Sequence, residues 1–139
     1  MIAIIDSGGA NIASVQFALE RLGAESVLTK DVKIIRSANK VLLPGVGAAP
    51  IAMQNLTEYG LIDCIRGLTQ PVMGICLGMQ LLFAVSPEGN TPLLGIFDAD
   101  CETFAPAQGK PVPHMGWNQL SKQQDHPLLA GVDEGAHVY

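Results

Sequence analysis

Residues 70–84, QPVMGICLGMQLLFA, constrain the fold of this chain more than any other stretch, because they read as a buried strand, a sharp turn and a helix. Pro71, Val72, Met73 and Ile75 form a short apolar run opened by a proline, which suits a parallel strand buried on both faces. Leu77, Met79, Leu81, Leu82 and Phe83 follow with only Gln80 as a polar break, and their residue types favour helix through Phe83. Cys76 sits at the turn between Gly74 and Gly78, which leave room for a strained backbone. A side chain on such a turn is thrust into a cleft above the sheet. The start of a helix offers free N–H groups that favour a thiolate and can hold an oxyanion. A lone cysteine in an apolar run also serves plain packing. The pattern by itself leaves both readings open.

The rest of the chain fits an α/β fold around that unit. Ile2 to Ile5 is a β-prone run closed by the glycine loop DSGGAN. Ile12, Val15, Leu19 and Leu22 recur at helical spacing, with Asn11 as N-cap and Gly23 as stop, which predicts about three turns. Val27 and Leu28 mark a second strand, residues 32–36 a connecting segment, and residues 41–43 a third strand running into Pro44-Gly45-Val46-Gly47. Residues 48–56 and 61–68 read as helical pieces divided near Tyr59-Gly60, with Asp63 and Arg66 on a solvated face. Alternating strands and helices imply a mostly parallel sheet with helices on both faces, flavodoxin-like or Rossmann-like. Such sheets place their sites at the C-terminal strand ends. Asp6 to Asn11, Pro44 to Gly47 and Cys76 are thereby expected on one rim.

After Phe83 the texture changes. A breaker-rich loop at 86–92 precedes β-prone pieces at 94–97 and 101–104. The only tryptophan lies in PHMGWN, residues 113–118; residues 122–126 form a polar turn, 127–130 one helical turn, and His137-Val138-Tyr139 open a strand. The 139 residues read as a single domain without internal repeats.

Composition excludes some classes. A net charge of −5 without any cluster of Lys or Arg argues against a nucleic-acid partner. No apolar run approaches the ~18 residues of a membrane span, so no membrane partner is expected. The glycine loop lacks the third glycine of a dinucleotide fingerprint, and no P-loop lysine follows it. The three cysteines form neither a C-x-x-C pair nor a zinc-ligand spacing, which fits a reducing, cytoplasmic setting. With 48% hydrophobic and 15% charged residues, the surface has room for a covering partner subunit.

Taken together, LPGVG (43–47), GICLGMQ (74–80), S-x-E-G (86–89) and PHMGWN (113–118) resemble the class I, triad-type glutamine amidotransferases. Within them, PHMGWN and DSGGAN are most similar to the glutaminase subunits that serve imidazole glycerol phosphate synthases in histidine biosynthesis. That resemblance implies that glutamine is the substrate, that no cofactor or metal is needed, and that ammonia passes to a (β/α)8-barrel cyclase subunit. Carried over by motif position, Cys76 is the nucleophile, and the backbone N–H groups of Leu77 and, after a peptide reorientation, Val46 form the oxyanion hole. Gly45, Gln80 and Glu88 hold the glutamine, with Glu88 facing its ammonium group. Asn11, Trp117, Asn118 and Tyr139 are expected at the partner interface, with the core as the competing place for Trp117.

One departure stands out. The family requires a His-x-Glu after the nucleophile, yet His114, His126 and His137 have no carboxylate two residues on. The resemblance therefore covers about two-thirds of the domain, C-terminally incomplete, and implies negligible activity for this chain alone. A non-catalytic or partner-docking module of the same fold is the alternative. A peptidase-like cysteine hydrolase shares the elbow but gives no reason for PHMGWN or S-x-E-G.

Overall fold

The computed structural model describes residues 1–8, 11–109, 111–121 and 125–139. Gly9 and Ala10 of the glycine loop and residues 122–124 of the polar turn lie outside the described residues. The chain divides into two compact units, Met1–Glu102 and Thr103–Tyr139.

The first unit is a parallel α/β sheet. Strands β1 (Ile2–Ile5), β2 (Ser26–Thr29), β3 (Lys40–Gly45) and β4 (Val72–Cys76) lie in the order β2-β1-β3-β4. All three pairings are parallel, with Ala3 opposite Val27 and Val41, and Val41 opposite Val72. The strand order moves one way from β1 to β2 and the other way through β3 to β4. Right-handed crossovers then put α1 (Ile12–Arg21) on one face and α2 (Val32–Ser37), α3 (Ala49–Glu58) and α4 (Ile62–Arg66) on the other. Packing agrees: Ala3, Ile5, Val41 and Leu43 share one apolar cluster with Ile35, Ala52, Leu56, Cys64 and Ile65. By contrast α1 has no fully buried residue.

Local chemistry explains the element ends. Helix α1 stops in a Schellman motif, with Ala24 N–H on the Leu19 carbonyl, Gly23 N–H on that of Glu20, and Gly23 at φ +67°. Residues 32–36, expected as a connector, form the helix α2, because Asp31 caps it by accepting from Lys33 N–H at 2.7 Å. Among the described residues the strand at 72–76 pairs only with β3, and Met73 is 49% exposed where burial on both faces was expected. Asp63 and Arg66 are both exposed, as expected, and the Arg66 guanidinium donates to the carbonyls of Leu94 and Leu93 at 2.8 and 3.4 Å.

The helix expected through Phe83 is a single turn, α5 (Leu77–Gln80). Beyond it the carbonyls of Leu81, Leu82 and Phe83 accept from the N–H groups of Leu94, of Ile96 and Phe97, and of Gly95. The N–H groups of Leu82 and Phe83 instead bond three residues back, to the Met79 and Gln80 carbonyls, so the chain tightens out of the α-helix. Residues 94–97, with their N–H groups on the carbonyls of residues 81–83, form no strand. The loop contains instead a small hairpin, β5 (Val85–Ser86) with β6 (Thr91–Pro92), closed by a 3-10 turn at Glu88–Asn90. Residues 101–104 likewise lie outside any strand.

In the second unit, β7 (Asn118–Gln119) pairs antiparallel with β8 (His137–Val138), and Pro127–Leu129 makes the expected single turn. Its exposed side chains include Phe104, Met115, Trp117 and Tyr139.

Candidate active site

Strand β4 delivers Cys76 to the C-terminal edge of the sheet, where the backbone turns abruptly into α5. Cys76 adopts φ 55° and ψ −121° and is exposed. That left-handed conformation costs a non-glycine residue on the order of 1–3 kcal/mol, and it is held by the packing on either side. A Cβ on Gly74 would collide with the Cα of Met79, and one on Gly78 with the carbonyl oxygen of Leu43. Both glycines therefore let α5 lie directly on β3 and β4, which leaves Cys76 at the exposed corner. Since α5 is only one turn long, a helix dipole adds little there. The first-turn N–H groups are the usable feature.

Other motifs converge on this corner. Gly45 pairs with Cys76 across β3 and β4, and a Cβ on Gly45 would stand 2.8 Å from Gly78 N. The next residue, Val46, is 52% exposed, while Leu77 at the start of α5 is buried. The glycine loop is tied to the same rim: the buried Ser7 hydroxyl donates to the Pro44 carbonyl at 3.0 Å, and Asn55 Nδ2 donates to the Ser7 carbonyl at 3.0 Å. The expectation of one shared rim thus holds for Ser7, residues 44–46 and Cys76. Asn11, expected to cap α1, makes no side-chain cap bond, since its ψ of 74° falls short of the extended conformation a cap needs.

Gln80 and Glu88 belong to one hydrogen-bonded group. Gln80 Nε2 donates to Ser86 Oγ at 2.7 Å, and Glu88 N–H donates to the same oxygen at 3.2 Å. The Glu88 carboxylate reaches across 39 residues of sequence to accept from Ala49 N–H at 2.9 Å, capping α3 just after the PGVG loop. Its side chain is exposed. Neither Ser86 as a hub nor the Ala49 N–H was singled out from sequence. The serine of S-x-E-G was the available signal.

Beside Cys76 the other thiols differ in access. Cys64 is 2% exposed, and burial, followed by the charge of Asp100, pushes the Cys101 thiol up from its ordinary value. Among the described residues no group of His, Cys, Asp and Glu could hold a metal ion. No described helix is long and apolar enough to cross a membrane.

In the second unit, Trp117 is 70% exposed and meets the Tyr139 ring edge-on at 5.5 Å. Asn118 Nδ2 lies 2.7 Å from His114 Nε2 and 3.2 Å from the Gly116 carbonyl. They make two exposed pairs, Trp117 with Tyr139 and Asn118 with His114.

The model of the class-I glutamine amidotransferases matches residues 3–139. Imidazole glycerol phosphate synthase subunit HisH of Mannheimia succiniciproducens is 48% identical, covering 98% of this chain and 70% of that protein. The HisH subunit of Xanthomonas axonopodis pv. citri is 50% identical over 99% of this chain and 69% of its own length. A crystal structure of a glutamine amidotransferase, 22% identical, shares the fold with a TM-score of 0.60 over 70% of this chain and 53% of that one. This chain thus spans about 70% of the length of those relatives and about half of that solved chain. By sequence and by fold, the chain belongs to the class-I glutamine amidotransferase family.

Proposed function

We propose that this chain is the glutamine-binding, cysteine-bearing part of a glutaminase that supplies ammonia to a (β/α)8-barrel cyclase subunit making imidazole glycerol phosphate. The observation that carries this reading is the exposed Cys76 at φ 55°, set beside Gly45 and followed by Gln80 and the Ser86–Glu88 loop. The Cys76 sulfur attacks the side-chain amide carbon of glutamine, and the N–H groups of Leu77 and Val46 hold the oxygen as it gains charge. Collapse expels ammonia and leaves a thioester, which water cleaves to glutamate and the free thiol. Glu88, with one oxygen on Ala49 N–H, presents its other oxygen to the substrate ammonium, and Gln80 and Gly45 line the same cleft.

The family affiliation supports the substrate, and the names of the relatives support the partner. Asn11, Trp117, Asn118 and Tyr139 are the residues we assign to the cyclase interface; Trp117 and Tyr139 are exposed aromatics of the kind enriched at such contacts. Three free cysteines suit a reducing cytoplasm. The chain contains no His-x-Glu, so nothing in it performs the family's acid–base step. Binding, rather than turnover, is its testable property.

Calorimetric titration with L-glutamine tests the reading. Saturable heat, lost in Glu88→Gln and absent with D-glutamine, is expected. No heat with L-glutamine, or equal heat with both enantiomers, refutes it.

A further inference from the structure

Ser86 sits in the S-x-E-G motif, and its hydroxyl bonds to Gln80 and Glu88 rather than to the nucleophile. It is fully buried, unusual for a serine in a two-residue strand beside an exposed turn. Its oxygen accepts two hydrogen bonds, from Gln80 Nε2 at 2.7 Å and from Glu88 N–H at 3.2 Å. A hydroxyl oxygen has two lone pairs, so both are engaged. Those donors come from different elements, the elbow helix α5 and the Glu88–Asn90 turn.

The network continues outward on both sides. Glu88 Oε2 accepts from Ala49 N–H at 2.9 Å, and the Glu88 carbonyl accepts from Thr91 Oγ1 at 2.6 Å. Gly89, at φ +66°, lies close enough to α3 that an added Cβ would stand 3.0 Å from Pro50 Cγ. Gln80, Ser86, Glu88 and Ala49 thereby join the helix that follows Cys76 to the helix that follows the PGVG loop. Ser86 is the only polar side chain in this series with no exposure to solvent.

We infer that Ser86 is a positioning residue for glutamine: its buried hydroxyl fixes Gln80 and Glu88 relative to each other and so sets the site's affinity for the amino-acid end of the substrate. The inference rests on the glutamine reading above, with Gln80 and Glu88 as substrate contacts. Removing the hydroxyl leaves the Gln80 amide and the Glu88 N–H without their shared acceptor. Both groups can then turn to solvent, and the alignment relaxes. Cys76 keeps its place, because the elbow is set by Gly74, Gly78 and the β3–β4 pairing.

The experiment measures alkylation of Cys76 by a glutamine-like chloroketone over a range of concentrations, with peptide-resolved mass spectrometry. It yields a half-saturation constant and a limiting rate. Iodoacetamide, which lacks the amino-acid end, is the parallel probe of thiol access. For Ser86→Ala the half-saturation constant should rise about tenfold, the equivalent of losing one to two hydrogen bonds. Its limiting rate and the iodoacetamide rate should stay within about twofold of wild type. Ser86→Cys fills the same space with a weak acceptor and should behave like Ser86→Ala; it also decides the matter if the alanine variant does not fold. An unchanged half-saturation constant in a folded variant overturns the inference and leaves the glutamine reading intact. An equal fall in the iodoacetamide rate overturns it too, by showing that Ser86 supports the elbow. Absence of saturation in the wild-type chain refutes the glutamine reading itself, and this inference with it.

Discussion

Gly78→Ala separates two physical effects of opposite sign. Helix propensity alone favours alanine over glycine by about 0.5–1 kcal/mol, so a surface helix would gain stability. Here the new methyl group would overlap the Leu43 carbonyl oxygen and lie 2.7 Å from Leu43 C and 3.1 Å from Pro44 C. All three are backbone atoms of β3, which is paired on both sides and cannot move aside. Instead α5 has to lift. Leu77 and Leu81 are 3% and 0% exposed, and full burial of each contributes roughly 1.5–3 kcal/mol. A gap of 0.5–1 Å forfeits roughly a quarter to a half of such contact energy, about 1–3 kcal/mol for the pair. Residual overpacking strain adds about 1–3 kcal/mol. Against the propensity gain, the net loss is about 3 kcal/mol. Gly23→Ala is the control: it meets nothing within 4 Å but sits at φ +67°, and it should cost only about 1–2 kcal/mol. Urea unfolding followed by far-ultraviolet circular dichroism gives both values. A Gly78→Ala loss below that of Gly23→Ala would refute the close-packing account of the elbow.

Other consequences follow from the same geometry. Trp117→Ala should weaken association with the barrel cyclase subunit by about 2 kcal/mol or more without unfolding the chain, measured by titration calorimetry; an unchanged affinity would remove Trp117 from the interface. Ammonia release from glutamine by the purified chain should be negligible, since no base takes the thiol proton or returns it to ammonia; turnover that depends on both Cys76 and His114, tested with Cys76→Ser and His114→Ala, would make His114 a working base. Lys30 lies 3.6 Å from the centre of the Tyr59 ring and 3.5 Å from Asp6, and Tyr59 first, then Asp6, raise its pKa above the ordinary 10.5. A raised lysine contributes its stabilisation below its ordinary titration range and loses it as the pH climbs through the folded value. Tyr59→Leu, which removes both the hydroxyl and the ring, should bring the Lys30 titration, followed by NMR, back toward 10.5, and no change would deny the Tyr59 contribution.

Where side-chain pattern dictated backbone, the sequence was readable. The run at residues 2–5 is a strand, and the glycines around Cys76 are required by contacts to Met79 and Leu43. Features decided by particular hydrogen bonds were less readable. The short helix α2 rests on the local Asp31 cap, and residues 94–97 form no strand while their N–H groups go to the carbonyls of residues 81–83. Arg66 lies on an exposed face as its spacing suggested, but spacing gave no sign of the carbonyls that bind it, 27 and 28 residues away. At the site, motif position brought Cys76, Gly45, Gln80 and Glu88 into view together. The partners that hold Gln80 and Glu88 are Ser86 Oγ and Ala49 N–H, and only the place of the serine in S-x-E-G hinted at either. A serine in a polar loop looks the same whether it is buried or solvated, and a backbone N–H leaves no mark on sequence.

The account rests on Cys76 as the thiol that meets glutamine. A limiting dose of a glutamine-like chloroketone on the folded chain, followed by peptide mapping, tests this directly. Label should appear at Cys76 before Cys64 and Cys101, and excess L-glutamine should suppress it. Equal labelling of all three thiols in a folded sample, or labelling of Cys76 that L-glutamine leaves unaffected, would contradict the account.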